Sequence, residues 1–364
     1  MTGTMWESEE REYAGGVKLY GCVPMSFRWM PKFLRLFLGW LYLMIFTTMF
    51  LIVPITLCVA LPFFWTPERR IYSMIYLGMI GISLLLPLQE WPFMRKFGQL
   101  MYEVLDISCN LSTEERIKCI AEAESKHLIT GMHPHGIVPF QAVIWASVCE
   151  QYLTDWETGK SVYGFGAAAN AVYSIPFLRN LMGWLSAGNA TYATLKNGLE
   201  KGKSPTCNRA GRKPRHLFLF PGGIAEVFTS QIGQNSVVFK KRRGLIKLSI
   251  ETGAELVPSY VFGGTDFFHN LATGKSWLSE LSRKLKMGLT WFWGRFGLPI
   301  PYHPKITVAI GNPIPIPEGW DGKSDIPEAL IEQLHEAYIT ELQRVFETYK
   351  GPAGLPESAT LEVQ

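Results

Sequence analysis

The stretch His127-Leu128-Ile129-Thr130-Gly131-Met132-His133-Pro134-His135-Gly136 carries both the fold and a candidate reaction centre. Its first six residues read as a strand buried on both faces, as in a parallel sheet covered by helices rather than a one-sided antiparallel one. The strand stops at a defined turn. Pro134 restricts His133 to an extended backbone, and Gly136 lets the chain reverse. Two imidazoles are therefore held where a strand ends, and in open α/β sheets the carboxyl ends of strands open into the site.

Outward from this stretch, further short strands are expected at Ser161–Ala169, Leu217–Phe220, Glu255–Phe262 and Lys305–Ile310. Helices are expected between them at Phe177–Leu185, Thr191–Lys201 and Arg243–Thr252, with another over Val138–Tyr152. Ser112-Thr113-Glu114-Glu115 reads as a capped helix start, because Ser112 and Glu115 have capping-box spacing. Alternating strands and helices predict an α/β fold with a mixed, mostly parallel sheet flanked by helices. Ile326–Lys350 reads as an amphipathic helix, and residues 351–364 as a flexible tail. Lys201–Arg215 is basic but rich in Gly, Ser and Pro, as in an exposed loop.

The N-terminal region has a different texture. Leu36 to Phe64 carries no formal charge, and Ile71 to Leu88 repeats this after the break Thr66-Pro67-Glu68-Arg69-Arg70. About 18 apolar residues cross a hydrocarbon core of roughly 30 Å. The expected element is a transmembrane helical hairpin, interrupted at Pro54 and Pro62, with both flanks on one side. Alternatives are a re-entrant wedge in one leaflet and a buried core hairpin. Lys18, Arg28, Lys32, Arg35, Arg95 and Lys96 lie on the flanks against Arg69 and Arg70 in the turn, which puts the flanks in the cytosol. The domain reading is therefore 1–35 as a cytosolic segment, 36–90 as a membrane hairpin, 91–350 as a cytosol-facing catalytic domain, and 351–364 as the tail.

Composition agrees with a membrane-attached protein of mostly aqueous bulk. Of 364 residues, 48% are apolar and only 18% charged, with a net charge of +4. Average soluble domains carry about 25% charged residues. Disorder and a nucleic-acid module both fit poorly. Six cysteines (Cys22, Cys58, Cys109, Cys119, Cys149, Cys207) show no paired spacing and read as reduced thiols of a cytosol-facing chain. The tripeptide Asn110-Leu111-Ser112 is the one feature that points toward a lumen.

Four segments carry chemistry. At His133-Pro134-His135-Gly136, one imidazole near neutral pKa accepts a hydroxyl proton. A His-x-His metal pair is the competing reading, although no Asp, Glu or Cys follows at ligand spacing. At Phe220-Pro221-Gly222-Gly223-Ile224-Ala225-Glu226, paired glycines permit close ligand approach or offer N–H groups to an anion, and Glu226 orients a histidine or meets the acceptor. At Lys240-Lys241-Arg242-Arg243-Gly244, cations crowd a helix start, which suits a polyanionic ligand. Trp277–Tyr302 mixes Arg283, Lys284, Lys286 and Arg295 with Trp277, Trp291 and Phe296, as at a bilayer interface.

Together these residues resemble the type-2 diacylglycerol O-acyltransferase family, which includes monoacylglycerol and wax-alcohol acyltransferases. The resemblance runs from the apolar hairpin to about Pro317. Its carriers are His133-Pro134-His135-Gly136, Gly222-Gly223-Ile224-Ala225-Glu226, and Arg243 to Ser249 with Gly253 to Pro258; Val261-Phe262-Gly263 and Gly311-Asn312-Pro313-Ile314 complete it. The resemblance implies a fold similar to glycerolipid acyltransferases and transfer of an acyl group from coenzyme A to diacylglycerol. It implies acyl-CoA as co-substrate with no further cofactor and no metal. It also implies contact with the lipid bilayer of the endoplasmic reticulum, access to lipid droplets, no nucleic acid, and an open question of homo-oligomers.

On this reading His135 is the base, and His133 orients it or bonds the thioester oxygen. Glu226 fixes the imidazole tautomer or positions the acceptor. Backbone N–H groups at Gly136, Gly222 or Gly223 face the oxyanion. Arg242 and Arg243, with Gly244, bind the coenzyme A phosphates, and Asn312 is a further substrate contact. Direct attack by the hydroxyl is expected, since no Cys or Ser adjoins the histidines. Where the family places a glutamate after Phe-Gly, this chain has Gly264-Thr265-Asp266. Rival readings are a monoacylglycerol, fatty-alcohol or sterol acceptor, and a catalytically silent lipid-droplet coat.

Overall fold

The computed structural model describes residues 10–112, 115, 126–144, 146, 164–201, 216–271, 277–285, 288, 290–317, 320 and 325–364. The predicted loop after Lys201, the end of the helix expected to reach Tyr152, the run 116–125, residues Ser161 to Tyr163, Lys286, and Cys119, Cys149 and Cys207 lie outside them.

The strands in chain order are β1 (Glu10–Glu12), β2 (Lys18–Gly21), β3 (Ser108–Cys109), β4 (Leu128–His133), β5 (Gly164–Ala168), β6 (Ala187–Asn189), β7 (His216–Leu219), β8 (Ser236–Val237), β9 (Glu255–Phe262), β10 (His269–Asn270), β11 (Phe292–Trp293), β12 (Thr307–Ile310) and β13 (Glu362–Val363). A nine-stranded sheet runs β1-β2-β3-β12-β9-β4-β7-β5-β6. From β9 to β6 every pairing is parallel. The other half is mixed: β12 lies antiparallel to β9 and parallel to β3, and β1 and β2 add antiparallel pairs. The expected mixed, mostly parallel sheet is present. The strands expected around residues 165, 218, 258 and 308 all fall on it.

The central strand β4 is buried at every position, and β9 at all but its first. Two apolar layers explain this. One face is covered by the helices α6 (Tyr192–Lys201), α8 (Gly244–Thr252) and α10 (Glu328–Tyr349). Helix α10 buries Ile331, Leu334, Tyr338, Leu342, Val345 and Phe346, a stripe at helical spacing. The other face packs against Val138, Phe140, Val143 and Ile144, helix α5 (Leu178–Trp184), the short α4 (Met101–Val104), and the first half of α1 (Lys32–Phe63). Helix α2 (Arg70–Leu85) follows α1 after a short turn.

Helix α1 continues through Pro54 and Pro62, where an interruption was expected. Its amino half seats Tyr42, Leu43 and Phe46 in the domain core and leaves Phe33, Phe37, Leu41 and Ile45 exposed at every fourth position. Its carboxyl half and α2 leave Ile55, Val59, Ile71, Met74 and Ile75 uncovered. By length and composition, Lys32–Met49 alone qualifies as a crossing helix among the described residues. Helix α2 has 16 residues, about 24 Å, against roughly 30 Å of hydrocarbon. The α2 carboxyl end is pinned to the domain: Ser83 Oγ bonds Asn180 Oδ1 and accepts from the Phe177 amide, and Arg179 Nη1 donates to the carbonyls of Ser83 and Leu86.

Three local expectations are revised or refined. The capping box is present, with Ser112 N donating to Glu115 Oε2 and Glu115 N to Ser112 Oγ. The tail is not free: β13 pairs in parallel with β8, and the Gln364 carbonyl accepts from Phe239 and Lys240 amides. Val363 supplies the apolar contact that holds it. The Asn110 side chain is a sheet component, its amide bonding both the carbonyl and the N–H of Ile310. Cys22, Cys58 and Cys109 form no disulfide among the described residues.

Candidate active site

The carboxyl ends of β4, β7 and β5 meet at one edge of the sheet, and a cavity of about 970 Å³ opens there. Residues following these three strands line it: His135, Phe220 and Ala169. Phe46 and Leu51 of α1 form part of its apolar wall, together with Val143 and Met182. Lys241, Arg242 and Arg243 stand at the start of α8 and form its cationic part.

His135 is half-buried, with its ring edge-on to Phe220 at 5.0 Å between centroids. Its Nδ1 lies 2.8 Å from the Gly136 carbonyl. A carbonyl only accepts, so Nδ1 carries the proton and Nε2 keeps its lone pair. Among the described residues Nε2 has no protein partner. Burial pushes the His135 pKa below 6.5, partly opposed by the Gly136 carbonyl and the charge of Glu226. The ring is thus uncharged at neutral pH.

His133 lies elsewhere. It is fully buried, outside the cavity wall, with Nδ1 3.1 Å from Glu226 Oε1 and Nε2 3.1 Å from the Tyr338 hydroxyl. The expectation that it bonds the thioester oxygen does not fit this position. The two rings do not converge as a metal pair would. Glu226 is 1% exposed and grips three groups: the His133 ring, the His135 amide at 2.7 Å, and the Val238 amide at 3.0 Å. It therefore fixes the tautomer of His133 and the backbone of His135, while the His135 tautomer is set by Gly136.

The glycines serve this clamp. A Cβ at Gly222 would collide with the Glu226 side chain, so only glycine lets the carboxylate reach the histidine turn. Gly223 lines the cavity with φ of +52° and precedes the short helix α7 (Ile224–Thr229). Its N–H is spent on the Phe220 carbonyl at 3.2 Å, so it is not a spare anion donor. Gly136 and Gly222 are not on the cavity wall.

The two arginines divide. Arg242 donates from Nη2 to the Gly222 carbonyl at 3.1 Å and braces the glycine turn. Arg243 pairs with Glu332 at 2.6 Å, while its buried Nη1 has no partner among the described residues. Gly244, also on the wall, opens α8 without a side-chain cap.

Asn312 is not part of this site. It follows β12, which runs antiparallel to β9, and so emerges toward the opposite end of the parallel strands. It is exposed, its amide bonding Glu341. Asp266 is also off the wall; it accepts from the Gly233 amide and the Thr265 hydroxyl, closing a turn. Sequence reasoning missed Tyr338, whose only signal was a polar group on the buried stripe of the last helix.

A neutral imidazole at the strand edge of a long apolar cavity, with cations at one part of the wall, is the equipment of a transferase acting on lipid-like molecules. The comparisons agree. The diacylglycerol acyltransferase family model matches residues 114–364. Diacylglycerol O-acyltransferase 2 of Dictyostelium discoideum is 29% identical over 250 residues, covering 65% of this chain and 70% of that protein. The protein of the same name from Danio rerio is 30% identical over 258 residues, covering 65% of this chain and 64% of its own length. A 2-acylglycerol O-acyltransferase 1 from Bos taurus is 28% identical over 248 residues, covering 65% and 69%. This chain belongs to the diacylglycerol acyltransferase family and is an acyltransferase.

Proposed function

We propose that the chain esterifies diacylglycerol with the acyl group of acyl-CoA, with His135 as general base. The observation that carries this is the free Nε2 of a neutral, Gly136-anchored imidazole on the wall of the apolar cavity. The acceptor O–H gives its proton to Nε2 while its oxygen attacks the thioester carbonyl carbon. The tetrahedral intermediate expels the sulfur, which takes the proton back, leaving triacylglycerol and free coenzyme A. Coenzyme A phosphates bind at Lys241, Arg243 and the uncapped start of α8, with Arg242 holding the turn beside them. Long apolar chains lie along the wall built by α1.

The exposed apolar faces of α1 and α2, with Trp277, Trp291 and Phe296, support seating in the endoplasmic-reticulum membrane or on a lipid droplet, the catalytic domain toward the cytosol. The shortness of α2 and the docking of α1 on the domain favour entry into one leaflet over two full crossings. His135→Ala in microsomes tests the mechanism. Triacylglycerol synthesis falls at least about a hundredfold, the lower end of what a general base contributes, while the protein remains membrane-bound. Unchanged turnover at equal abundance removes His135 from the reaction.

A further inference from the structure

We propose that Tyr338 is a positioning residue for acyl transfer, holding His133 from behind so that Glu226 keeps the main chain of His135 in place. This rests on the reading of His135 as the base.

Tyr338 lies 205 residues from His133 in sequence, on α10, yet its hydroxyl reaches both His133 Nε2 and the Gly131 carbonyl at 3.1 Å. The proton arrangement follows from which atoms can only accept. Glu226 is an acceptor toward His133, as it is toward the amides of His135 and Val238. Nδ1 of His133 therefore carries the proton. The one hydroxyl hydrogen of Tyr338 goes to the Gly131 carbonyl, which can only accept, so the hydroxyl oxygen is the polar group that faces His133 Nε2 in this fully enclosed place. Burial raises the Tyr338 pKa well above its ordinary value, so the group remains a phenol able to donate. The ring stacks on Phe239 at 4.4 Å, and Phe239 also meets the His133 ring edge-on at 5.7 Å. Packing thus places the hydroxyl, and the hydroxyl braces the His133 ring on the side opposite Glu226.

Gly131 is the sequence trace of this arrangement. A Cβ there would overlap the Tyr338 hydroxyl, so β4 carries a glycine where the tyrosine enters. Without the hydroxyl, His133 Nε2 loses the polar contact that braces the ring opposite Glu226, and the ring is held at Nδ1 alone. A ring unbraced on that side shifts against Glu226, and the carboxylate loses the fixed contact that helps orient it toward the His135 amide. The cost appears in the placement of the base, not in the cavity where substrates bind.

The test uses the full chain in microsomes or detergent, with a long-chain acyl-CoA and diacylglycerol as substrates. Tyr338→Phe keeps the ring and its stacking and removes only the oxygen. Turnover falls about tenfold or more, while KM for both substrates stays within about twofold. Paired with Glu226→Gln, the two losses are less than additive, because both act through one chain of contacts. In a His135→Ala background, Tyr338→Phe has no further effect. If Tyr338→Phe does not accumulate, Gly131→Ala displaces the hydroxyl while keeping the tyrosine and gives the same kinetic split. Normal turnover, a joint change of kcat and KM, or full additivity overturns the proposal. An inactive His135→Ala beside a normal Tyr338→Phe removes Tyr338 alone, whereas an active His135→Ala removes the base and this proposal with it.

Discussion

His135 and His216 show how burial sets two histidines to different tasks. As the proposed base, His135 must be neutral to accept a proton, and burial holds its pKa below 6.5. Activity is therefore retained at neutral pH and lost as pH falls below 6.5, a limb measurable in kcat/KM profiles. His216 is buried at the start of β7, with Nε2 2.7 Å from Thr130 Oγ1, and burial pushes its pKa down to about 4. The unfolded chain binds this proton at about pH 6.5 and the folded chain only near 4, so stability is complete above 6.5 and declines between them. The decline amounts to about 3 kcal/mol at most by pH 4. Denaturant midpoints measured across this window fall with pH, and His216→Gln flattens the slope. At the cationic wall, Arg243→Ala raises KM for acyl-CoA about tenfold and leaves KM for the acceptor nearly unchanged. Arg242→Ala lowers kcat as well, because it also releases the Gly222 turn. Equal effects of the two variants on kcat and KM would contradict that division.

At the scale of elements, the segment 351–364 is part of the site's support. The Gln364 carbonyl holds the Phe239 and Lys240 amides, just before Lys241 on the cavity wall. Replacing Val363 with Asp opposes burial of that segment. It lowers the unfolding temperature by several degrees and raises KM for acyl-CoA, both readable from one purified preparation. The main elements were legible because their patterns are strong: β4 and β9 are continuous apolar runs, and α8 and α10 have clear helical stripes. Two- and three-residue strands such as β3, β8 and β13 gave no pattern, since their pairing is decided by what lies beside them in space. The seating of the last residues against β8 is of this kind.

At the scale of the whole molecule, exposed apolar groups gather on α1, α2 and the Trp-rich segment. Phe296 is 90% exposed, Trp277 74% and Trp291 69%, and Arg295 lies 5.2 Å over the Trp40 ring of α1. Changing Trp277, Trp291 and Phe296 together to Ser weakens vesicle binding by about tenfold or more without altering the fold. Flotation with liposomes and circular dichroism check the two halves of that statement. The site was legible as motifs but not as geometry. The sequence placed His135, Glu226 and the cationic turn near one another. It did not show that Glu226 grips the backbone of one histidine and the ring of the other, because such a network is assembled from β4, α7, β8 and α10 only after folding. Asn312 illustrates the converse, a motif residue carried away from the cavity by the direction of β12.

The two hydrogen bonds between the Asn110 side chain and the Ile310 main chain have a practical meaning for topology mapping. A sugar on that asparagine would have to be installed before β3 and β12 align, and it would then keep them apart. A mobility shift erased by endoglycosidase would mark molecules that met the glycosylation machinery without their native sheet, so the tripeptide can serve as a built-in reporter of chains modified before they folded.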